Sequence, residues 1–562
     1  MKHAVTRMWA MVGALCCTSV LAAQDMSVPS ARDREIADAT IRESTLRGHI
    51  RFLADDLLEG RLPGTTGDVL AQRYIAAQFE ALGLQPAAPG GGWFQPVPLV
   101  GITTTAPNTV SIRRGDRSAA LRRHDDFVFT SGRPEERIAV EQAELVFVGY
   151  GIVAPEFEWD DYKGVDLRGK VLVMMNNDPA DDPKLFAGSR RLYYGRWDYK
   201  YEMAAKQGAA GAIIIHTTES AGYPFQVVQT SWSGEEFELR GSSGPRLALK
   251  GWFTEDATRR VMELTGNDPD ALRASAQRRD FRPVSLGATL SVELTCRIRE
   301  QETANVLARL PGSDPALAKE NVVYMAHHDH IGLTATPDAT GDRICNGAID
   351  NASGVGALLA IAQAHTRLRP TPRSILFAAV GAEEQGLLGS LYLGQHPPIP
   401  AGYLAAVINM DGLNILGPTR DVQVIGSGKS SLDSIVQQLA TWQQRVMTPD
   451  QFPDRGYYYR SDQFSLAKVG VPGVYLHPGT SVIGKPEGWG KEQLEEWTRT
   501  KYHQPSDEYS DDWDLRGAIA DVQLLFFTGL AVARQPDMPH WLPGDEFEAA
   551  RRTAIQGRDA SR

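Results

Sequence analysis

Apolar residues at Leu46, Ile50, Leu53 and Leu57 recur in steps of three and four, which predicts an amphipathic helix over 41–58. Gly60-Arg61-Leu62-Pro63-Gly64 breaks that period, and a second helix is predicted from Thr66 to Leu82, stopped by Gly83. From about 105 to 285 the pattern changes to short apolar runs between Gly, Pro and charged clusters. Glu144–Tyr150, Gly169–Met175 and Gly211–Ile215 are examples, with one helix predicted at Tyr201–Gln207. This block reads as a separate β-rich domain. From about 290 onward the pattern becomes strand, loop and helix in repetition. Asn321–Ala326, Ser374–Val380, Leu404–Asn409 and Gly473–Leu476 are continuous apolar runs, as strands buried on both faces of a sheet require. Ser353–Thr366 and Gln385–Leu393 read as the helices crossing over between them. The predicted fold class is α/β: a mixed, mostly parallel sheet sandwiched by helices, carrying an inserted β-rich domain. Beyond Pro536 no periodic face is visible, so 536–562 is expected to be an exposed C-terminal tail.

The N-terminus adds an address. Lys2, His3 and Arg7 precede an apolar run from Met8 to Ala23, and small residues follow Val20. This predicts a signal peptide over 1–22, cleaved near Ala22 or Ala23, and a periplasmic or extracellular protein. The run is shorter than the roughly 20 residues a membrane span needs, and no later segment reads as a span. Leu15 occupies the position before Cys16 that lipoprotein processing reserves for a small residue. Export leaves Cys296 and Cys345, and an oxidising compartment inclines the expectation toward one bridge between them. The 42% hydrophobic and 23% charged fractions are those of a globular protein, and the net charge of −11 argues against nucleic acid or anionic membrane as partner. A chain of 562 residues exceeds one ordinary core.

Candidate chemistry lies where the strands end, which is where open α/β sheets place their ligands. The first strand runs into His327-His328-Asp329-His330, the second into Glu383-Glu384, and the third into Asp411. A loop between the first two presents Asp350, and Lys501–Asp507 offers His503. Imidazoles and carboxylates from several strand ends suit zinc or a related divalent ion. Singly, each has a plainer reading: surface histidines, a solvated Glu pair, a helix cap at Asp350 or Ser353. Their convergence on one sheet edge favours a metal site. Strand alternation puts His327 and Asp329 on one face and His328 on the other. Gly426-Ser-Gly-Lys-Ser430 imitates the end of a phosphate loop, but Gln423 replaces its first glycine, so a turn is expected.

Met325–Gly332, Gly347–Val355, Glu383–Ser390, Asn409-Met410-Asp411, Arg460–Phe464 and Tyr502-His503 resemble, in that order, motifs of the two-zinc aminopeptidase and glutamate-carboxypeptidase family. Glu59–Thr65 and Tyr74–Phe79 resemble the family's N-terminal helices, and Gly169–Met175 with Lys206–Ile215 is similar to its inserted protease-associated domain. The resemblance implies a peptidase domain in two parts, 23–104 and 286–535, around a protease-associated domain at 105–285. It implies two Zn²⁺ per chain: Asp350 bridging, His327 and Asp411 on one ion, Glu384 and His503 on the other. Glu383 matches the general base, Asp329 the acceptor of the other ring N–H of His327, and Tyr502 a donor to the tetrahedral intermediate. The Asp350–Asn351 bond is expected to be cis. Arg460 and Tyr459 are candidate substrate contacts. The implied activity is an aminopeptidase acting on peptides. The alternatives are a glutamate-carboxypeptidase-like enzyme or dipeptidase, a single-metal glutaminyl cyclase, and a receptor-like protein without catalysis.

Overall fold

The computed structural model describes residues 28–560, apart from 181, 183–184, 187, 189, 222, 242–243 and 335–336. The expected signal peptide lies outside the described residues. Helix α1 (Ala31–Thr40) opens with a capping box between Ser30 and Asp33. Helix α2 (Glu43–Leu53) buries Leu46, Ile50 and Leu53 completely, the face that the period predicts. It stops earlier than expected: Glu59 and Gly60 take left-handed backbone in the short helical segment that follows, and Leu57 is left 81% exposed. Helix α3 (Thr66–Ala81) starts at Thr65, whose side chain accepts the Asp68 N–H.

One sheet positions the site. Its strands are β1 (Phe94–Thr105), β2 (Val284–Leu310), β3 (Asn321–His327), β4 (Ser374–Val380), β5 (Leu404–Asn409), β6 (Asp421–Ile425), β7 (Val446–Pro449) and β8 (Gly473–His477). Their spatial order is β1-β2-β4-β3-β5-β8-β6-β7, with β4, β3, β5 and β8 mutually parallel and β2 and β6 antiparallel on either side. Strands β3, β4 and β5 are buried at every residue. The layers over them include α4 (Gly354–Arg367), α5 (Leu388–Gln395) and α7 (Arg516–Arg534), while α6 (Trp489–Thr500) buries only Gly490. By length and composition α7 passes as a membrane span, contrary to the sequence reading, yet 78% of its apolar window is buried inside the fold. It packs as a core helix, apolar nearly all round, and so shows no amphipathic period to detect.

Strand β2 is 27 residues long and serves two layers. Its C-terminal end pairs with β4, its middle with β1 from Thr105↔Thr295 to Phe94↔Val306, and its N-terminal half with Arg137–Phe147. From there the sheet continues through Val171–Met175, Gly211–His216 and Leu249–Thr254, all parallel. These strands pack cores of their own, one of them around Leu172, Ile214 and Trp252. The expected boundaries at 105 and 285 thus fall at the ends of a ribbon built into both layers.

Two expectations are corrected. The segment expected to be an exposed tail, 536–562, is packed over its described part, 536–560: helix α8 (Glu548–Ala560) folds back, and Trp541, Phe547 and Arg551 are buried. Lys429 lies 2.7 Å from Asp545 and 2.9 Å from Glu546, and Arg551 donates to the Leu404 carbonyl at 2.8 Å. Three anchors held largely by charge and single aromatics leave no hydrophobic period. Cys296 and Cys345 are both buried free thiols, not a bridge. Cys296 sits 3.6 Å from the Thr104 hydroxyl within the β1–β2 ribbon, while Cys345 lies in a short strand beside Gly60. The Gly426–Ser430 segment is a turn after β6, with Gly426 and Gly428 at positive φ.

Candidate metal centre and active site

Because β3, β4 and β5 run parallel in register, their carboxyl ends open at one edge. His327 is the last residue of β3, Glu383 and Glu384 follow β4, and Asp411 follows β5. Asp350 comes from the turn leading into α4, where the Asp350–Asn351 bond is cis. Asn351 secures that turn: its side chain accepts the Gly354 N–H at 2.9 Å and the Gly412 N–H at 3.1 Å, and donates to the Met410 carbonyl at 2.9 Å. Asn351-Ala352-Ser353 spells an N-glycosylation sequon, but Asn351 is fully buried.

The five expected metal ligands meet around Asp350. His327 Nε2 lies 3.2 Å from Asp350 Oδ1 and 3.3 Å from Asp411 Oδ1. His503 Nε2 lies 3.3 Å from Asp350 Oδ2 and 2.9 Å from Glu384 Oε2. Each Asp350 oxygen therefore faces a different imidazole. Ligand atoms of His327, Asp350 and Glu384 lie within 4.8 Å of one another, as do those of His327, Glu383 and Asp411. Glu383 thus faces the His327–Asp411 half, and Glu384 the His503 half.

Asp329 works differently from its expected role. Its carboxylate accepts the backbone N–H groups of Glu383 at 3.0 Å and Glu384 at 3.3 Å, fixing the turn that aims both glutamates. His327 Nδ1 lies 3.2 Å from the Asp329 main-chain carbonyl and 3.8 Å from its carboxylate, so the carbonyl is the nearer partner. His328 points to the other face, 3.4 Å from buried Asp68 and 3.0 Å from the Ala304 carbonyl. His330 turns back to the centre, with Nδ1 2.6 Å from Glu384 Oε1. Strand geometry ends at His327, so alternation no longer governs His330.

Tyr502 stacks on His503 at 3.8 Å between ring centroids, and its hydroxyl accepts from Arg460 Nη2 at 3.3 Å. Tyr459 is buried against Phe464 and donates its hydroxyl to Glu546 at 2.7 Å. Several supporting residues escaped the sequence reading. Asp507 accepts the Ile349 and Asp350 N–H groups, each at 3.1 Å, and Ser461 donates to Asp411 Oδ2 at 2.6 Å. Arg61, 1% exposed, donates to the carbonyls of Leu53, Asn346, Gly347 and His328. Asp507 and Ser461 lie inside quoted motifs, but a residue that positions a neighbour has no spacing of its own to betray it.

The charges test whether cations fit. Burial works against the charged form of every group. Even so, Glu383, Asp350 and Asp411 hold the His327 imidazole well above its ordinary range, and Glu384 with Asp350 raises His503 to about 10. Burial drives Glu383 well up, reinforced by Glu384, Asp411 and Asp462, and it lifts Asp329 to about 8. Carboxylates outnumber the imidazoles that face them, and buried carboxylates demand positive partners. The donor set, N from histidine and O from carboxylate, is one that divalent zinc accepts. The residues fit divalent zinc, with Asp350 placed between the two imidazoles.

Residues 305–527 match the sequence profile of Peptidase family M28. Among curated proteins, the chain is 33% identical over 124 residues to a probable zinc metalloprotease of Leptosphaeria maculans, covering 22% of this chain and 25% of that one. It is 43% identical over 107 residues to a probable zinc metalloprotease of Pyrenophora teres f. teres, covering 19% and 22%. The matched stretches thus span about a quarter of these relatives' length. Among solved structures, the aminopeptidase from Aneurinibacillus sp. strain AM-1 aligns over 90% of this chain and 97% of its own, at TM-score 0.49 and 18% identity.

Proposed function

We propose, on the premise that residues 305–527 are a Peptidase family M28 domain, that the protein is a two-zinc aminopeptidase removing residues from the N-termini of peptides. The observation that supports it is the gathering of His327, Asp411, Glu384 and His503 around Asp350, with Glu383 alongside. Asp350 would hold both ions, His327 and Asp411 one, Glu384 and His503 the other. Two such ions, when bound, acidify water and polarise a scissile carbonyl. Glu383 takes the proton of the attacking water on its carboxylate and passes it to the leaving amine. Tyr502, whose oxygen already accepts from Arg460, keeps its own proton to donate to the carbonyl oxygen as that becomes tetrahedral. Asp329 aims the two glutamates, and Ser461 orients Asp411.

A second reading, a carboxypeptidase or dipeptidase, is favoured by one observation: Arg460 sits at the Tyr502 hydroxyl, where a substrate carboxylate would find a guanidinium. Two equivalents of zinc are expected to co-purify, or to restore activity after chelation, by elemental analysis. Full activity at one equivalent overturns the two-ion reading. Amino-acid anilides should be hydrolysed in preference to N-acyl dipeptides; the opposite order selects the carboxypeptidase. The apolar run Met8–Ala23 supports export. Mass spectrometry of protein recovered from periplasm or medium should find a chain beginning at Ala23 or Gln24, and an intact leader there overturns export.

A further inference from the structure

A cavity of about 70 Å³ lies where the segment carrying Arg190 and Arg191 meets the loop before α-helical Gln463–Ala467; Tyr459 is among its lining residues, and none of the expected metal ligands is. The two sides are fitted closely. The Arg191 N–H donates to the Pro453 carbonyl at 3.0 Å, and a Cβ at Gly456 would lie 3.0 Å from Arg191 Cδ. Among the described residues, neither Arg190 nor Arg191 has a carboxylate within 4.0 Å. The Arg190 guanidinium reaches the Ser427 carbonyl at only 3.4 Å. Arg191 donates one Nη2 bond to the Ser220 carbonyl, and its buried Nε has no partner among those residues. Tyr458 also lines the cavity; it is 5% exposed and its buried hydroxyl has no hydrogen-bond partner among them. Asp450, the one carboxylate among the lining residues, accepts the Phe452 N–H at 2.7 Å; beyond ion-pair distance, Asp450 and Asp433 still act electrostatically on Arg190, and buried Asp178 on Arg191.

Two partly buried guanidiniums and an unused phenol around a small hole describe an anion site, and the fork of an arginine suits a planar carboxylate. A chain of side-chain contacts links the cavity wall to the centre. The lining residue Tyr457 lies under Arg460, 5.5 Å from guanidinium carbon to ring centroid, and Arg460 bonds Tyr502, which stacks on His503. We propose that this cavity is a subsite for a substrate carboxylate, either an acidic side chain or the C-terminus of a short peptide. The identity of the ligand rests on the peptidase reading above; the anion chemistry does not.

The zinc-loaded full chain carrying Glu383→Gln, in which turnover is blocked, would be titrated calorimetrically with three peptide pairs. These are Glu-Ala-Ala amide against Gln-Ala-Ala amide, Ala-Glu-Ala amide against Ala-Gln-Ala amide, and Ala-Ala-Ala against its amide. In one pair the carboxylate form should bind about tenfold more tightly or better. Which pair responds separates a side-chain source from a C-terminal one. Arg190→Gln and Tyr458→Phe should each reduce that preference while leaving the neutral partner's affinity unchanged, and Arg190→Lys should keep part of it. Arg190 is only partly buried, so its variants should keep the parent's thermal midpoint. The absence of preference in all three pairs, or a preference unmoved by Arg190→Gln and Tyr458→Phe, overturns the subsite. Hydrolysis of neutral peptides by the wild type without any preference leaves the peptidase reading standing alone. A preference with no hydrolysis of any peptide leaves the anion site standing alone.

Discussion

Glu383→Gln is expected to lower kcat about a hundred- to ten-thousand-fold, roughly 3–5 kcal/mol at the transition state, with little change in KM and near-normal zinc content. An amide preserves the size of the side chain while removing the proton acceptor. Glu384→Ala should behave differently. Glu384 contacts His503 at 2.9 Å and His330 at 2.6 Å, so its loss unties two imidazoles and should reduce metal stoichiometry together with activity. Elemental analysis and steady-state kinetics on both variants make the comparison. If Glu383→Gln loses zinc while Glu384→Ala keeps it, the roles given to these neighbours are reversed.

The second large effect is expected at Arg61, which touches neither substrate nor ligand side chains. Its guanidinium binds four main-chain carbonyls, from α2, from the residue after His327 and from the turn before Asp350. It is also a buried positive charge facing Asp329, Asp350, Asp507 and Glu384, which offset part of the cost that burial imposes on it. Arg61→Met is expected to cost about 3–5 kcal/mol of stability, because it strands acceptors and leaves those carboxylates without a counter-charge. Arg61→Lys should recover only part, since an ammonium cannot span four acceptors arranged for a fork. Urea denaturation of the three proteins measures this; a loss under about 1 kcal/mol for Arg61→Met would refute the assignment.

Much of the architecture is legible without coordinates because it rests on local pattern. Ser374–Val380 and Leu404–Asn409 are continuous apolar runs, and the structure gives them the same ends. His327, Glu383, Glu384 and Asp411 are legible for the same reason: each terminates or follows such a run. What escapes the sequence is decided by distant partners. Arg61 looks like a loop charge until folding brings to it the carbonyl of His328, 267 residues further along. Lys429 sits in a phosphate-loop imitation, yet its partners are Asp545 and Glu546. Helix α7 carries no amphipathic signal because nearly every face is covered. The Asp329 carboxylate could be placed at the centre from its motif, but only folding shows that it holds the glutamate turn more closely than the histidine ring.

The position of α2 also sets a schedule for synthesis. Its apolar residues Leu46 and Ile50 belong to the core that includes Val355 and Leu359 of α4, and the Ala54 carbonyl just after it is met by Asn346, 292 residues later. At about 5–20 residues per second, a ribosome takes roughly 15–60 s to deliver that partner. Throughout this interval the growing chain lacks the α4 partners of Leu46 and Ile50, although Tyr74 of α3 can already meet His49 and Phe52. The N-terminal helices are therefore the first to be made and among the last to be buried. For this polypeptide, order of emergence and order of assembly run in opposite directions, and a holding chaperone has a defined stretch of nascent chain to occupy.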